Sequence, residues 1–240
     1  MINKFILDQI QAYSIETDWL QTFGGMSRGS RHLFRVNKIA TFLTNHTDAD
    51  ISIVQAGAWL HDIGLTKGND DKPEIIRTLA LDYLKTLNLP LSDANAIADC
   101  VASHEGIEKA KSIEAQVVHD ADVLDKQGML GIIRHTWKLT NLIMPNASGQ
   151  EVTNEVVKHI AWRESKLYLK KARVIASLLN KDLPDLTGDI PEFEKLIAEI
   201  MKLAKKGVVS DEIAKMIEKK LPKELKELLK LQLECGYLPK

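Results

Sequence analysis

Apolar residues recur at the spacing of an α-helix in almost every periodic segment of this chain. In residues 2–22, for example, Phe5, Ile10 and Tyr13 fall near one helical face. Further helices are predicted to start after Ser30 and in residues 48–52, then over 73–87, 92–104, 115–130, 129–143 and, as one long helix, 152–180. No segment shows the apolar–polar alternation of a β-strand. The sequence therefore predicts an all-α protein built as a helical bundle.

The composition changes near residue 183. Residues 183–191 hold two prolines and Gly188, which predicts a linker. Residues 192–233 are rich in Lys, Glu, Leu and Ile and predict two or three short amphipathic helices. We therefore predict a main domain over 1–182 and a short helical C-terminal extension over 183–240. The apolar stripe of the extension must be buried against the main domain, as a lid over a site, or in a homodimer, and the sequence leaves these alternatives open.

Composition narrows the classes of partner. The 240 residues are 45% hydrophobic, enough for one full core, and the net charge is −1. That charge and an aromatic content of 5% favour neither a nucleic-acid partner nor an anionic membrane. The chain has no run of about 20 apolar residues and no signal-peptide pattern at its start. Cys100 and Cys235 lie far apart without metal-type spacing, so we expect a reduced, cytoplasmic protein.

The main polar feature is the pair His61-Asp62, which ends the apolar run 53–60 and is followed by Gly64, a predicted helix stop. Neighbouring helix positions point about 100° apart, but at a helix end both side chains can still reach one ion. Imidazole and carboxylate are ligands for divalent metals. Other residues of the same types accompany the pair: His32, His104, Asp120 and Asp122. Two imidazoles and two carboxylates would leave positions open for water and phosphoryl oxygens, which favours metal-assisted hydrolysis of a phosphate ester or anhydride.

Three segments together resemble the HD-domain superfamily of metal-dependent phosphohydrolases. They are residues 28–36 with His32 before an Arg-Val pair, 59–64 with the His-Asp doublet, and 118–125 with its Asp-Ala-Asp-x-Leu-Asp pattern. The resemblance covers roughly residues 20–180 and implies an all-α HD-domain fold. It implies four metal ligands, with the second Asp of the last motif preferred and Asp120 as the fallback: His32, His61, Asp62 and Asp122.

The resemblance also implies catalytic residues. Asp62 would combine metal binding with proton handling. His104 lies where related proteins carry a histidine that binds a second metal or contacts the substrate phosphate. Arg28 replaces a further histidine found in many relatives, and residues 71–74 replace another, so we expect one divalent metal ion (Mn, Fe, Co, Ni, Mg or Zn).

Candidate substrate-binding residues flank these ligands. Cations in the neighbouring loops could hold the phosphate of an anionic substrate: Arg28, Arg31, Lys67 and Lys72. Asp125 lies three residues beyond Asp122, near it on a helical face, and could orient a ligand or a substrate hydroxyl.

The expected function is hydrolysis of a phosphomonoester or nucleotide phosphate by metal-activated water. One alternative is a nucleotide pyrophosphohydrolase or alarmone hydrolase of the same fold, although the Glu-Asp pair of the alarmone branch and the second signature of the cyclic-dinucleotide branch are missing. Another is a catalytically inactive nucleotide-binding HD module, against which the complete ligand set argues. A third is a helical adaptor that acts through residues 190–240. The expected partner is a small phosphorylated substrate, with no membrane and no nucleic acid.

Overall fold

A computed structural model describes residues 2–68 and 71–238 of the protein. Regular structure in these ranges is helical throughout, without a strand, which confirms the predicted all-α class. The chain forms two compact units. The first comprises the residues up to Asp122 together with Tyr168–Ala172, and the second comprises Val123–Leu167 and the residues from Arg173 onward. No helix in the described ranges has both the length and the apolar character needed to cross a membrane.

The first unit contains five complete helices and most of a sixth: α1 (Lys4–Leu20), α2 (His32–Thr44), α3 (Ile51–Leu60), α4 (Pro73–Lys85), α5 (Leu91–Ser103) and α6 (Ile113–Asp125). Helix α3 packs against α1, α2 and α5. It begins at Asp50, whose carboxylate accepts hydrogen bonds from the backbone N–H of Ser52 and Ile53, as expected for an N-cap. Seven of its ten residues are buried, so α3 is a core helix of this unit.

The end of α3 differs from the prediction. The α-helix stops at Leu60, not at Gly64, and a 3-10 helix over His61–Lys67 follows directly. The residue with left-handed backbone is Gly68, with φ 65°, and its N–H donates to the carbonyls of Gly64 and Leu65. A glycine at this position closes the turn without the steric cost that a side chain would add. Residues 69 and 70 of the predicted polar loop lie outside the described residues.

The second unit holds α7 (Gly128–Lys138), α8 (Gly149–Glu164), the greater part of α9 (Lys170–Asn180), α10 (Leu183–Gly188), α11 (Ile190–Ala204), α12 (Ser210–Ile217) and α13 (Lys223–Glu234). The long helix predicted over 152–180 is wrong, because the chain breaks between Glu164 and Lys170. The predicted linker over 183–191 is also wrong. Its two prolines stand in the first turns of α10 and α11, where the missing N–H of proline costs no hydrogen bond.

The predicted C-terminal helices are present as α11, α12 and α13, and their apolar stripe is buried inside the second unit. Helices α11, α12 and α13 all pack against α7. The side chain of Gln232 on α13 accepts from Leu130 N–H at 3.2 Å and donates to the Gln127 carbonyl at 2.8 Å. The predicted domain boundary at residue 183 thus lies within one compact unit. The functional division that it implies stays a prediction, as does the homodimer.

The contact between α3 and α5 provides a test of this packing. A Cβ added to Gly57 would lie 2.7 Å from Cys100 Cβ, whereas one added to Gly149 would meet nothing within 4 Å. Overpacking costs about 1–3 kcal/mol, and the better helix propensity of alanine returns up to about 1 kcal/mol at both sites. We expect Gly57→Ala to lower the free energy of unfolding by about 2 kcal/mol relative to Gly149→Ala, measured by urea unfolding followed by circular dichroism. Equal stability of the two variants would contradict the close approach of α3 and α5.

Candidate metal centre

Helix ends in the first unit bring the four predicted ligands together. His32 is the first residue of α2, and its N–H donates to Ser30 Oγ at 3.3 Å. His61 and Asp62 open the 3-10 helix after α3, and Asp122 lies in the last turn of α6. Side chains at the ends of different helices can approach a common point from different directions.

The side-chain atoms that would bind a metal converge closely. His32 Nε2 lies 3.1 Å from His61 Nε2, 3.3 Å from Asp122 Oδ1 and 3.4 Å from Asp62 Oδ2. His61 Nε2 lies 3.4 Å from Asp62 Oδ1 and 3.7 Å from Asp122 Oδ1. Ligand atoms bound to one first-row metal ion at about 2.1 Å are separated by roughly 3 Å. The donor types and separations of His32, His61 and Asp122 therefore fit a single divalent cation, and Asp62 lies beside both histidines.

Two histidines of the site are each oriented by a hydrogen bond to a backbone carbonyl. His61 and His104 each follow directly on the last residue of a helix, where backbone carbonyls lack intrahelical partners. His61 Nδ1 lies 2.8 Å from the Ala58 carbonyl oxygen, and His104 Nδ1 lies 2.7 Å from that of Val101. Because a carbonyl only accepts, each Nδ1 is the donor and each Nε2 is left with its lone pair. The lone pair is the form that binds a metal or takes up a proton.

Electrostatics also favour neutral His61. Burial lowers the pKa of His61 below its ordinary value, the carboxylates of Asp62 and Asp122 oppose this, and His32 and His104 lower the pKa further. Desolvation disfavours the charged imidazolium. His61 is therefore neutral near pH 7, as a metal ligand must be.

His104 borders the four ligands. Its Nε2 lies 3.9 Å from Asp62 Oδ1, and its ring centroid lies 5.1 Å from that of His61. Glu105 Oε1 is 3.9 Å from His104 Nε2, and His104, Glu105 and Asp122 make a second group able to offer ligand atoms to a cation. Sequence reasoning missed Glu105, because a glutamate before a glycine turn is usually a surface residue and no motif marks it.

Asp120 and Asp122 have different environments although they are two residues apart. The Asp120 carboxylate accepts hydrogen bonds from the backbone N–H groups of Tyr168 at 2.9 Å and Leu169 at 2.7 Å. Two residues span about 200° on a helix, so the two carboxylates leave α6 on nearly opposite sides. The structure therefore brings Asp122, and not the fallback Asp120, beside the histidines. Tyr168 and Leu169 lie between α8 and α9, where the single helix predicted over 152–180 is interrupted. Their N–H groups therefore bond to Asp120 and not within a helix.

The predicted phosphate-binding cations are all exposed: Arg28, Arg31, Lys67 and Lys72. The Arg31 guanidinium lies 3.8 Å from the centre of the Phe34 ring, a cation–π contact. A buried cation, Arg35, stands one helical turn after His32 and is only 3% exposed. Arg35 belongs to the Arg-Val pair of the first motif, but the motif by itself predicts no role for it. The phosphate-binding role of the four cations stays a prediction.

Asp125 belongs to the second unit. It is buried, and its Oδ2 lies 3.5 Å from Arg134 Nη1. An ion pair of this kind can hold a carboxylate in a fixed orientation. The predicted substrate-binding role of Asp125 stays a prediction.

Comparison with protein families accounts for the motifs. Residues 29–127 match the family model described as the HD domain. Residues 29–127 are therefore similar to HD domains. The matched residues include every predicted metal ligand and His104, and HD domains form a superfamily of metal-dependent phosphohydrolases.

Solved structures show the same fold. YpgQ from Bacillus subtilis is 21% identical with a TM-score of 0.59, over 78% of this chain and 94% of YpgQ. A structural-genomics protein from Lactobacillus plantarum is 23% identical with a TM-score of 0.63, over 81% of this chain and 99% of that one. YpgQ in complex with ADP aligns at 22% identity and a TM-score of 0.58, over 79% and 93% of the two chains. No curated protein matches the sequence significantly.

The two aspartates of α6 can be separated experimentally. In Asp120→Asn, the amide places an N–H2 group against a backbone N–H, so at least one buried hydrogen bond is lost, at about 2 kcal/mol. In Asp122→Asn, a candidate ligand loses its negative charge while its shape is retained. We expect Asp120→Asn to lower the free energy of unfolding and keep its metal, and Asp122→Asn to lose metal affinity. Urea unfolding and elemental analysis of both proteins would measure this, and metal loss from Asp120→Asn alone would reverse the assignment.

Proposed function

We propose that the protein is a divalent-metal-dependent phosphohydrolase acting on a phosphomonoester or nucleotide phosphate. The observation that carries this proposal is that the Nε2 atoms of His32 and His61 lie 3.1 Å apart and that each lies within 3.7 Å of a carboxylate oxygen of both Asp62 and Asp122, in a buried site of the HD-like region. A binding module would need neither this complete set of ligand types nor their burial. The proposal is therefore hydrolysis and not binding alone.

The metal would be one divalent ion, Mn, Fe, Co, Ni, Mg or Zn, held by these four side chains. When bound, such an ion lowers the pKa of a water molecule and polarises a phosphoryl oxygen. His61 and Asp122 are fully buried and His32 is nearly so, whereas the Asp62 side chain is 10% exposed. Substrate would therefore reach the site on the side of Asp62.

Asp62 and His104 would handle protons. Asp62 directs Oδ2 towards His32 and Oδ1 towards both His61 and His104. With one oxygen towards each side, the Asp62 carboxylate could bind a cation and still accept a proton from the attacking water. His104 Nε2, whose Nδ1 is fixed to the Val101 carbonyl, can hold a proton opposite Asp62 and donate it to the leaving oxygen. The exposed cations Arg28, Arg31, Lys67 and Lys72 would bind the non-reacting phosphate oxygens.

Nucleotides are supported as a substrate class by the complex of a structurally similar protein. The B. subtilis relative YpgQ has been crystallised with ADP. By this likeness we include nucleoside diphosphates among the candidate substrates, together with the phosphoanhydride cleavage of a nucleotide pyrophosphohydrolase.

The first test is metal content with activity. We expect about one divalent ion per chain and metal-dependent phosphate release from at least one member of a panel of p-nitrophenyl phosphate and nucleoside mono-, di- and triphosphates. His61→Ala and Asp62→Ala should lose the metal and at least about 100-fold in kcat/KM, since even groups that only support metal ligands contribute 10–100-fold. Elemental analysis and phosphate assay measure both quantities.

His46→Ala is the matched control, because His46 is exposed and contacts Phe42. It should retain metal and activity. Wild-type protein that binds none of the six metals after supplementation would overturn the proposed site. Metal without turnover across the panel would favour an inactive nucleotide-binding module.

A further inference from the structure

A groove in the second unit has no role in the proposed hydrolysis. Its lining residues belong to α10, α11 and α13 or to the segments directly before these helices. Helices α11 and α13 both pack against α7 but make few contacts with each other, which leaves a groove between them. The groove has a volume of about 570 Å³, within the range of roughly 300–1,000 Å³ that is typical of binding sites.

Apolar side chains form the floor of the groove. Leu186 and Leu196 are half-buried and Pro222 is exposed, so all three offer apolar surface to a partner. On α11, Leu196 borders the buried stripe that contains Phe193 and Ile197. The floor therefore continues the core of the unit to its surface, where burial by a partner would be favourable.

The rim of the groove is strongly acidic. Six carboxylates and two lysines are among the lining residues. Lys195 Nζ lies 2.5 Å from Glu192 Oε1, and Lys220 pairs with Glu199, so each lysine neutralises a carboxylate of the groove itself. Four lining carboxylates are left without a lysine from the groove: Asp182, Asp185, Asp189 and Glu224.

Two of these four carboxylates already have partners. Asp182 Oδ2 lies 3.7 Å from the Nζ atom of the lysine before it, and Asp189 Oδ1 accepts from a backbone N–H in the first turn of α11 at 3.3 Å. Asp185 and Glu224 are exposed, and within residues 2–68 and 71–238 their carboxylates make neither a hydrogen bond nor an ion pair. Asp185 and Glu224 are therefore the carboxylates most readily available to a cation of a partner.

The combination of floor and rim selects the chemistry of the partner. A simple cation would leave the leucine surface in water, and an acidic segment would be repelled by the carboxylates. An amphipathic helix can lay one face into a groove between two helices, with apolar anchors three, four and seven positions apart. Glu192 and Glu199 line the groove seven positions apart on α11, so the groove extends over about 10 Å, or about two turns of a partner helix.

We propose that this groove binds a basic amphipathic helix of a partner protein. Apolar side chains of the partner pack on Leu186 and Leu196, and the lysine or arginine residues that flank them pair with Asp185 and Glu224. None of the residues that line the groove is a candidate metal ligand. Docking of a partner can therefore be tested without reference to hydrolysis.

The first test uses synthetic helices as probes. One labelled peptide of about 18 residues carries leucine on one helical face and lysine elsewhere. Two control peptides each change one property, because glutamate replaces lysine in one and serine replaces leucine in the other. By fluorescence anisotropy with the full chain, we expect the Leu/Lys peptide to bind at least about tenfold more tightly than either control. Equal binding of the Leu/Lys and Ser/Lys peptides, or no binding of the former, would overturn the proposal.

Charge reversal tests the position of the site. Asp185→Lys/Glu224→Lys should weaken binding of the Leu/Lys peptide at least about tenfold, because like charges then face each other. Asp8→Lys/Glu16→Lys is the matched control, since it makes the same change of net charge on exposed side chains of α1, outside the groove. The control should bind within about twofold of wild type, because salt screens distant charges. An equal loss in both variants would indicate attraction by the overall charge and would contradict the assignment.

The apolar floor is tested through Leu196. Leu196→Ala removes apolar surface and should weaken binding about threefold or more, whereas Leu196→Met retains the volume and should bind within about twofold of wild type. Thermal unfolding of each variant shows whether it is folded. If the charge-reversed variant does not fold, Asp185→Asn/Glu224→Gln replaces it, because it removes the charges with little change of shape. Unchanged binding by that variant would show that these carboxylates do not hold the partner.

Sedimentation of the chain alone distinguishes a partner helix from a second copy. We expect wild type, Asp185→Lys/Glu224→Lys and Asp8→Lys/Glu16→Lys to share one state of association. A dimer that the groove variant dissociates and the α1 variant preserves would place a second copy of the chain in the groove and overturn the proposal. None of these measurements depends on hydrolysis, so failure of the groove and failure of the proposed function are distinguishable.

Discussion

The structure of the first unit depends on bringing two imidazoles and two carboxylates together in a buried place. Ionisable groups are costly to bury unless they are paired or bound to a cation. Here His32 and His61 approach to 3.1 Å between their Nε2 atoms, with Asp62 and Asp122 beside them. A divalent cation would offset the charge of both carboxylates and use both lone pairs. The proposed function follows from this constraint, because few other roles account for all four groups at once.

Helix ends solve the geometric problem of this site. The carbonyls of the last turn of a helix have no partners within the helix. The carbonyls of Ala58 and Val101 accept hydrogen bonds from the Nδ1–H groups of His61 and His104. In each case one hydrogen bond satisfies a carbonyl at the helix end and fixes the orientation of the imidazole ring. The change from α-helix to 3-10 helix at Leu60 makes His61 available for this bond. The close approach of α3 to α5 at Gly57 and Cys100 then sets the separation of the two helices whose ends carry these histidines.

Helix α6 shows how one element serves both stability and the site. Asp120 satisfies two backbone N–H groups that follow the break between α8 and α9, and Asp122 faces the histidines. In our proposal the HD motifs provide the metal chemistry.

The sequence alone predicted the all-α class, the similarity to the HD domain and a set of candidate ligand residues, because helical periodicity and short motifs are local properties of the chain. The pattern around residues 61–64 could not show that α3 ends at Leu60, since a 3-10 turn and an α-helical turn have nearly the same local sequence preferences. The break after Glu164 and the different surroundings of Asp120 and Asp122 were decided by the tertiary structure, because they depend on contacts between residues far apart in the chain, such as the hydrogen bonds from Tyr168 and Leu169 to Asp120. The position of Glu105 beside His104 and Asp122 also depends on the fold, which brings residues 105 and 122 together. Packing is a property of the folded chain, and it turns an ordinary glutamate into a candidate metal ligand.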